Sequence, residues 1–273
     1  MPERTPSTQD ARRHVRLGST AVDYLLRRNP RSRGIRLTVD GRRGLVVSVP
    51  PAARRGWADP DPLIESFLHE RRAWVLRQVA RLERERAEIA AHGAPDDGGS
   101  VYYRGELHRI RVLAREGTGA GASRRSTVER TGADTGDELV VRPGSRDRRS
   151  IERVLEDWFR ERADEAITRA VELHAPPLRV TPSEVVLRDP KSRWGSAAKR
   201  GRLMFSWRLV LAPPEALETV VVHELAHLRV FGHGPGFWKL VAARRPDHVA
   251  QRAWLRTHSH ALHAALERPS GED

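Results

Sequence analysis

Residues 220–228 read Val-Val-Val-His-Glu-Leu-Ala-His-Leu, and His233 follows them. His223 and His227 stand four positions apart in an apolar segment, so on a helix they share one face with Cβ atoms about 5–6 Å apart. At that separation both imidazoles can bind one zinc ion. Glu224 lies too close to His223 in sequence to bind the same ion comfortably, but it can act as a general base. The pattern predicts a metal-dependent hydrolase and favours a peptidase among the hydrolases.

The residues before the motif favour a buried helix. Pro213, Pro214 and Glu215 are typical of a helix start, because proline suits the first turn and an acidic residue suits the helix dipole. Apolar residues then recur along the segment at Leu217, Val220, Val221, Leu225 and Leu228. A buried helix that carries two histidines and a glutamate needs a partner for these polar groups, and a metal ion can be that partner.

His233 is the preferred third metal ligand, and Asp247 is the alternative. The glutamates that follow the motif lie only in the C-terminal tail, whereas Phe231-Gly232 can end the helix and return the chain towards the pair. Three protein ligands leave one tetrahedral position open, as in catalytic zinc sites. The spacing of the second and third histidines equals that of metzincins, but Val230 replaces their glycine and no methionine follows. The chain is therefore not a metzincin.

A second histidine group lies near the C-terminus and comprises His258, His260 and His263. Their spacing of two and then three residues places no pair on one helical face, and no acidic residue stands beside them. We therefore predict that they are surface residues. Trp194, Trp207, Trp238 and Trp254 are predicted to be core residues, since buried aromatic side chains more often pack than stack on a ligand.

The charge of the chain favours anionic partners. Its 273 residues carry a formal net charge of +13, nearly all of it from arginine, and the basic residues concentrate in Arg27–Arg43 and Arg188–Arg208. Codon usage can account for part of the arginine content, but the charge attracts anions however it arose. A nucleotide or nucleic acid is therefore a candidate partner. Neither segment carries the interleaved aromatic residues that are typical of a single-strand binder.

Composition also limits the chemistry and the compartment. The chain contains no cysteine, which excludes disulfides, thiolate zinc ligands and a cysteine nucleophile. Residues Met1–Gly18 have no apolar run that resembles a signal peptide, and no segment approaches the length of about 18–20 apolar residues that a membrane span requires. We therefore expect a cytoplasmic protein without a membrane partner.

The hydrophobic periodicity predicts an α+β fold, since a strand-rich first half is followed by a helix, a small sheet and further helices. Four domain assignments follow from it. They are a disordered tail over 1–15, an N-terminal β-rich region with one long helix over 16–146, a metallopeptidase domain over 147–266, and a tail over 267–273. The predicted elements are a hairpin over 35–49, a helix over 62–91, strands over 101–113 and 139–141, a helix over 147–174 ended by Pro176 and Pro177, strands over 185–187, 193–197 and 203–209, the helix of the histidine motif, and helices near 236–243 and 247–266.

Several ordered motifs carry a family resemblance. They are Lys-Ser-Arg-Trp-Gly-Ser over 191–196, Phe-Ser-Trp-Arg-Leu-Val-Leu-Ala-Pro-Pro over 205–214, the histidine motif with His233, and Phe237-Trp238. Together they resemble the YgjP-like metallopeptidases, which are related to SprT-type zinc proteases. The resemblance is strongest over residues 185–257.

The resemblance implies a zincin-like metallopeptidase domain. It also implies one zinc ion per chain, held by His223, His227 and His233, with Glu224 as the catalytic base. Ala197 and Ala226 stand where the family commonly has cysteine. Neither position is needed for zinc binding, so this difference leaves the expected catalysis intact.

Three functions remain open at this point. The first is a zinc-dependent peptidase acting on proteins or peptides, in which Arg193 or Lys191 either stabilises the transition state or only shapes the edge of the sheet. The second is a metal-dependent hydrolase of nucleotide phosphoanhydrides, whose phosphates the neighbouring arginines would bind. The third is a DNA-associated protease or binding protein, which salt-dependent binding to duplex DNA would reveal.

Overall fold

A computed structural model of the chain describes residues 11–41, 43–115, 123–132 and 137–267. The chain divides into two compact units, Met1–Glu88 and Ile89–Asp273. The division therefore falls at 88/89 and not at the boundary 146/147 suggested by the sequence pattern. The reason is packing, because strands of residues 100–142 share one hydrophobic core with the helix that follows them. Residues 1–10 and 268–273, which belong to the predicted tails, lie outside the described residues.

The first unit contains a four-stranded sheet in the order β1-β2-β4-β3, with β2 and β4 parallel and the other pairs antiparallel. Apolar side chains of its strands and helices form one core. Its elements are β1 (Ala11–Leu17), β2 (Thr20–Arg28), β3 (Arg36–Asp40), β4 (Gly44–Val49), α1 (Asp61–Glu70) and α2 (Arg72–Ala91).

Two features of this unit correct the sequence expectations. Residues 11–15, which were predicted to be disordered, belong to β1, where Val15 is buried and pairs with Val22 of β2. This strand was not predicted because its composition is polar. An edge strand with one buried face needs few apolar residues. The predicted helix over 62–91 is two helices separated at Arg71, whose backbone leaves the helical region with φ −99° and ψ 17°. No proline or glycine marks that break.

The second unit begins with a four-stranded sheet that repeats the topology of the first. Its order is β5-β6-β8-β7, with β6 and β8 parallel and the outer pairs antiparallel. The described elements of the unit are β5 (Ser100–Tyr103), β6 (Glu106–Val112), β7 (Thr127–Thr131), β8 (Glu138–Arg142), α3 (Ile151–Leu178), β9 (Glu184–Arg188), β10 (Gly195–Ala197), β11 (Arg202–Ser206), a 3-10 helix (Trp207–Leu211), α4 (Pro214–His227), α5 (Pro235–Arg244) and α6 (His248–Ala264).

Helix α3 does not end at its two prolines. Ser150 caps its first turn by accepting a hydrogen bond from the backbone N–H of Arg153, and the helix continues through Pro176 and Pro177 to Leu178. A proline forfeits one backbone hydrogen bond, but that loss is tolerated here in the last turn of a long and well-packed helix. The helix ends where Arg179 adopts the left-handed conformation, with φ 53°.

A three-stranded sheet in the order β10-β11-β9 supports the histidine helix. Strand β10 is antiparallel to β11 and lies at one edge, whereas β9 is parallel to β11. Helix α4 packs against α3, α5, α6 and β10, and most of its residues are buried. The fold thus places the histidine motif inside the largest hydrophobic core of the chain, next to an edge strand.

Some residues of the predicted basic segments have structural roles. Arg208 is buried, pairs with Asp189 at 2.7 Å and donates hydrogen bonds to the carbonyl oxygens of Leu262 and Ala265. Arg28 similarly donates a hydrogen bond of 2.9 Å to the carbonyl oxygen of Trp57. Both guanidinium groups are therefore committed to contacts within the fold, and the charge of Arg208 is also neutralised by Asp189. Among the described residues, no helix is long and apolar enough to cross a membrane.

Candidate metal centre

Helix α4 presents His223 and His227 from its last turns. It begins after Pro213 and carries Glu215 in its first turn, as the local sequence predicts, but it ends at His227, before the predicted end at Phe231-Gly232. Its buried residues lie on both sides of the two histidines, and both imidazoles are half-buried. Packing therefore fixes the face on which the two side chains stand.

The three histidines of the motif converge on one point. The Nε2 atom of His223 lies 3.2 Å from Nε2 of His227 and 3.1 Å from Nε2 of His233. Candidate ligand atoms of all three residues lie within 4.8 Å of one another. A tetrahedral ion with Zn–N bonds of about 2.0–2.1 Å would require nitrogen atoms about 3.3–3.4 Å apart. The three nitrogens therefore fit a metal ion with only small adjustments.

A short turn delivers His233 to the pair. Gly232 adopts φ 87°, a left-handed conformation that glycine tolerates without strain, between the end of α4 and the start of α5. Asp247, the alternative third ligand, instead pairs with Arg245 at 2.9 Å and accepts a hydrogen bond from Gln251. The structure thus brings His233, and not Asp247, beside the histidines of α4.

Aromatic packing and hydrogen bonding hold the imidazoles in place. Phe237 of α5 stacks on His227 with ring centroids 4.4 Å apart, and Trp238 lies 5.7 Å from His233. Nδ1 of His227 lies 3.4 Å from the carbonyl oxygen of Val230, which fixes the proton on Nδ1. The Nε2 lone pair of His227 consequently remains available to a metal ion.

Burial lowers the pKa values of the two imidazoles on α4 and favours their neutral form. Burial and the neighbouring imidazoles of His227 and His233 lower the pKa of His223 to about 3. Burial also lowers the pKa of His227. Only a neutral imidazole can bind a metal through nitrogen, so the free site has ligands ready to bind at neutral pH.

Glu224 is the buried carboxyl group of the site. Its residue is only 7 % exposed, and burial raises the pKa of Glu224 to about 7 against the opposing charge of Arg193. A β-carbon added to Gly195 would lie 2.7 Å from Cγ of Glu224. The carboxyl group therefore occupies space that exists only because β10 has glycine at this position.

Arg193 and Lys191 lie in the exposed segment that leads into β10. The charge of Arg193 acts on Glu224, whereas Lys191 is not among the causes of the raised pKa of Glu224. Neither side chain forms an ion pair or a hydrogen bond with the part of the chain that the structure describes. Arg193 is consequently the better placed of the two to meet a substrate.

The C-terminal histidines are not surface residues as the sequence predicted. His258 stacks on Trp254 with ring centroids 3.9 Å apart, and His263 stacks on Trp194 at 4.4 Å. His258, His260 and His263 are each half-buried. Stacking on Trp254 of the same helix buries part of His258, and stacking on Trp194, which directly precedes β10, buries part of His263.

A further group of potential ligands was not visible in the sequence. His108 is fully buried, and Glu106 and Asp137 lie beside it. However, Nδ1 of His108 lies 3.0 Å from the carbonyl oxygen of Glu106, and its Nε2 accepts a hydrogen bond of 2.8 Å from Arg130. Both ring nitrogens of His108 therefore have partners, and the guanidinium of Arg130 lies where a metal ion would have to bind.

Comparison with known proteins assigns a family to the chain. The family described as YgjP-like, metallopeptidase domain, matches residues 33–258. No curated protein and no solved structure matches the chain significantly. The matched region includes all three converging histidines and Glu224. Since it spans most of the 273 residues, the chain belongs to the YgjP-like metallopeptidases, a family that implies a metal-dependent hydrolase.

Proposed function

We propose that this protein is a zinc-dependent peptidase with a zincin-like domain, in which His223, His227 and His233 hold one zinc ion and Glu224 is the general base. The observation that carries the proposal is the convergence of three imidazole groups beside one buried carboxyl group. Two histidines from one helix and a third from the following turn leave an open position, as catalytic zinc requires. The absence of cysteine limits the ligands to nitrogen and oxygen.

Glu224 performs the proton transfers in this proposal. A bound zinc ion would supply Lewis acidity, which polarises the scissile carbonyl group and makes a water molecule more acidic. The carboxylate of Glu224 accepts a proton from that water as its oxygen attacks the carbonyl carbon, and then delivers the proton to the leaving amide nitrogen. Burial suits this exchange, because a pKa near neutrality allows the carboxyl group to gain and lose a proton readily.

The edge of β10 favours a peptide over a phosphoanhydride. Trp194 accepts a hydrogen bond from Ser206, and Ala198 donates one to Arg202, so these backbone groups point towards β11. In an antiparallel pair the intervening residues, Gly195 and Ala197, direct their backbone groups to the opposite side. An extended peptide can add to such an edge through backbone hydrogen bonds. A nucleotide offers no equivalent backbone.

Arg193 is proposed to stabilise the negative charge that develops on the carbonyl oxygen. Its side chain is exposed, is not committed to an ion pair within the described residues, and acts electrostatically on Glu224. A guanidinium can donate two parallel hydrogen bonds to an anionic oxygen or carboxylate. Lys191 lies two residues further from β10 and would act, if at all, on more distant parts of the substrate.

Zinc stoichiometry tests the ligand set. The purified protein is expected to contain one zinc ion per chain, and replacing His223, His227 or His233 by alanine should remove most of it. His258→Ala is the matched control, since that imidazole stacks on Trp254 outside the site and should leave the metal content unchanged. Inductively coupled plasma mass spectrometry measures the content. Full retention by His233→Ala would assign the third ligand position to another residue.

Glu224→Gln separates the base from the ligands. Glutamine keeps the shape of the side chain but cannot accept the proton, so zinc content should be unchanged and turnover should fall by about two to four orders of magnitude. The assay measures cleavage of casein-like proteins and, in parallel, phosphate release from nucleoside triphosphates. Loss of zinc from the variant would contradict the role of base. Phosphate release that depends on Glu224, without proteolysis, would support the phosphoanhydride hydrolase instead.

Gly195→Ala should displace the carboxyl group of Glu224 while leaving the ligands in place. The added methyl group would overlap Cγ of Glu224, and a misplaced catalytic group can cost about 10²-fold in turnover. Gly236→Ala is the control, because a β-carbon there meets nothing within 4 Å. Steady-state kinetics and zinc analysis on both variants make the comparison. Equal activity of the two variants would show that the position of Glu224 does not depend on Gly195.

Arg193→Met should lower the turnover number by about tenfold or more, because one preorganised donor to the developing oxyanion is lost. Zinc content and melting temperature should stay unchanged, since the side chain is exposed and unpaired in the described structure. Arg200→Met, at the exposed turn between β10 and β11, is the control and should retain full turnover. A purely structural role for Arg193 would lower stability and activity together.

A further inference from the structure

A pocket adjoins the candidate metal centre on the side of His223. Its volume is about 500 Å³, and it lies between β10, α4 and α6 of the second unit. His223 and Glu224 form part of its wall, so a group in this pocket would be next to the bond that the site cleaves. The volume is sufficient for one or more substrate side chains. The chemistry of the pocket should therefore influence which peptides are accepted.

The walls of the pocket differ in polarity. Buried side chains of Val220 and Leu255 contribute apolar surface on α4 and α6. The same turns of α6 contribute Arg252 and Arg256, and Glu224 is the one acidic residue among the described residues that line the pocket. Because Glu224 lies at the metal end, the α6 side of the pocket is a positively charged surface.

Arg252 differs from Arg208 and Arg245 in the group that its guanidinium contacts. Arg208 and Arg245 each pair with a carboxylate, Asp189 and Asp247 respectively. The guanidinium of Arg252 instead lies over the ring of Trp238, with its central carbon 4.2 Å from the ring centroid, and forms no ion pair within the described chain. Stacking covers the face of a guanidinium but leaves its edge N–H donors free for a planar anion.

Arg252 is linked to the candidate metal centre through Trp238. Trp238, on which it stacks, lies 5.7 Å from His223 and from His233. The opposite end of the side chain is anchored on α6, where Leu255 is buried three residues further along. Arg252 therefore has a fixed orientation at the boundary between the pocket and the ligands. A preorganised cation loses little conformational entropy when it binds an anion.

We propose that this pocket is a substrate subsite that selects an acidic side chain, aspartate or glutamate, at a position next to the cleaved bond. The carboxylate binds the guanidinium of Arg252, and the methylene groups contact Val220 and Leu255. The inference rests on the proposed peptidase function and deepens it. A substrate with lysine or arginine at the same position is repelled.

The experiment uses the zinc-loaded full-length protein and a degenerate peptide library that is acetylated and amidated. Blocking both ends removes terminal charges, so that only side-chain carboxylates can be selected. Mass spectrometry of the products gives the residue preference at each position around the cleaved bond. Glutamate and aspartate should exceed glutamine and asparagine by about tenfold at one position, the scale of one charge-assisted hydrogen bond.

Variants of Arg252 connect the preference to the pocket. Arg252→Met keeps the apolar stem and should abolish the preference of glutamate over glutamine, whereas Arg252→Glu should replace it with a preference for lysine. Arg200→Met is the control and should retain the wild-type preference. Zinc content and circular dichroism show whether each variant is folded and loaded. Cleavage without preference for acidic residues, or a preference that survives Arg252→Met, would overturn the inference.

A binding measurement keeps the subsite testable separately from catalysis. The zinc-loaded Glu224→Gln variant should bind a fluorescent glutamate-containing peptide about tenfold more tightly than its glutamine counterpart. Addition of Arg252→Met to that variant should equalise the two affinities. If the wild-type protein cleaves no peptide, the proposed function is wrong. The difference in affinity between the two peptides then still shows whether the pocket binds an acidic side chain. Equal affinities in the Glu224→Gln variant would reject the subsite, as would discrimination only with peptides that have a free C-terminal carboxylate.

Discussion

The burial of helix α4 is the constraint from which the candidate site follows. Packing against α3, α5, α6 and β10 removes most of this helix from water, including the carboxyl group of Glu224. Buried polar groups cost free energy unless a partner compensates them. Nε2 of His223 lies 3.2 Å from Nε2 of His227 and 3.1 Å from Nε2 of His233, whose side chain is exposed. A cation at their centre would bind all three nitrogens at once.

The parts of the site that could be predicted from the sequence are those fixed by local geometry. The spacing of His223 and His227 determines a shared helical face, and Gly232 permits the turn that returns His233. Contacts between distant segments left no comparable signal. Gly195 approaches Glu224 only because β10 lies against α4, and its importance depends on the fold. Arg252 likewise reaches the site from the last helix, where its sequence neighbours suggest only a solvated face.

In the sheets, too, contacts between neighbouring segments could be predicted from the sequence, whereas contacts between distant segments could not. The hairpin of β3 and β4 was predictable from alternating apolar residues around a turn, and it is present. The parallel pairing of β2 with β4, and of β6 with β8, joins strands that are not consecutive. That pairing produces the same strand order in both four-stranded sheets. Two different segments of the chain thus reach one topology.

The placement of arginine, rather than the net charge, separates structural from functional side chains. Arg208 and Arg245 are neutralised by carboxylates within the fold and present little charge to a partner. Arg193 is exposed near Glu224, and Arg252 stacks on an indole where the others have an acid. An anionic group is attracted to an accessible positive charge that has no carboxylate partner. Both of these arginines lie near Glu224, the candidate catalytic residue. Codon usage can raise the number of arginines, but it does not determine which arginines near the candidate metal ligands lack a carboxylate partner.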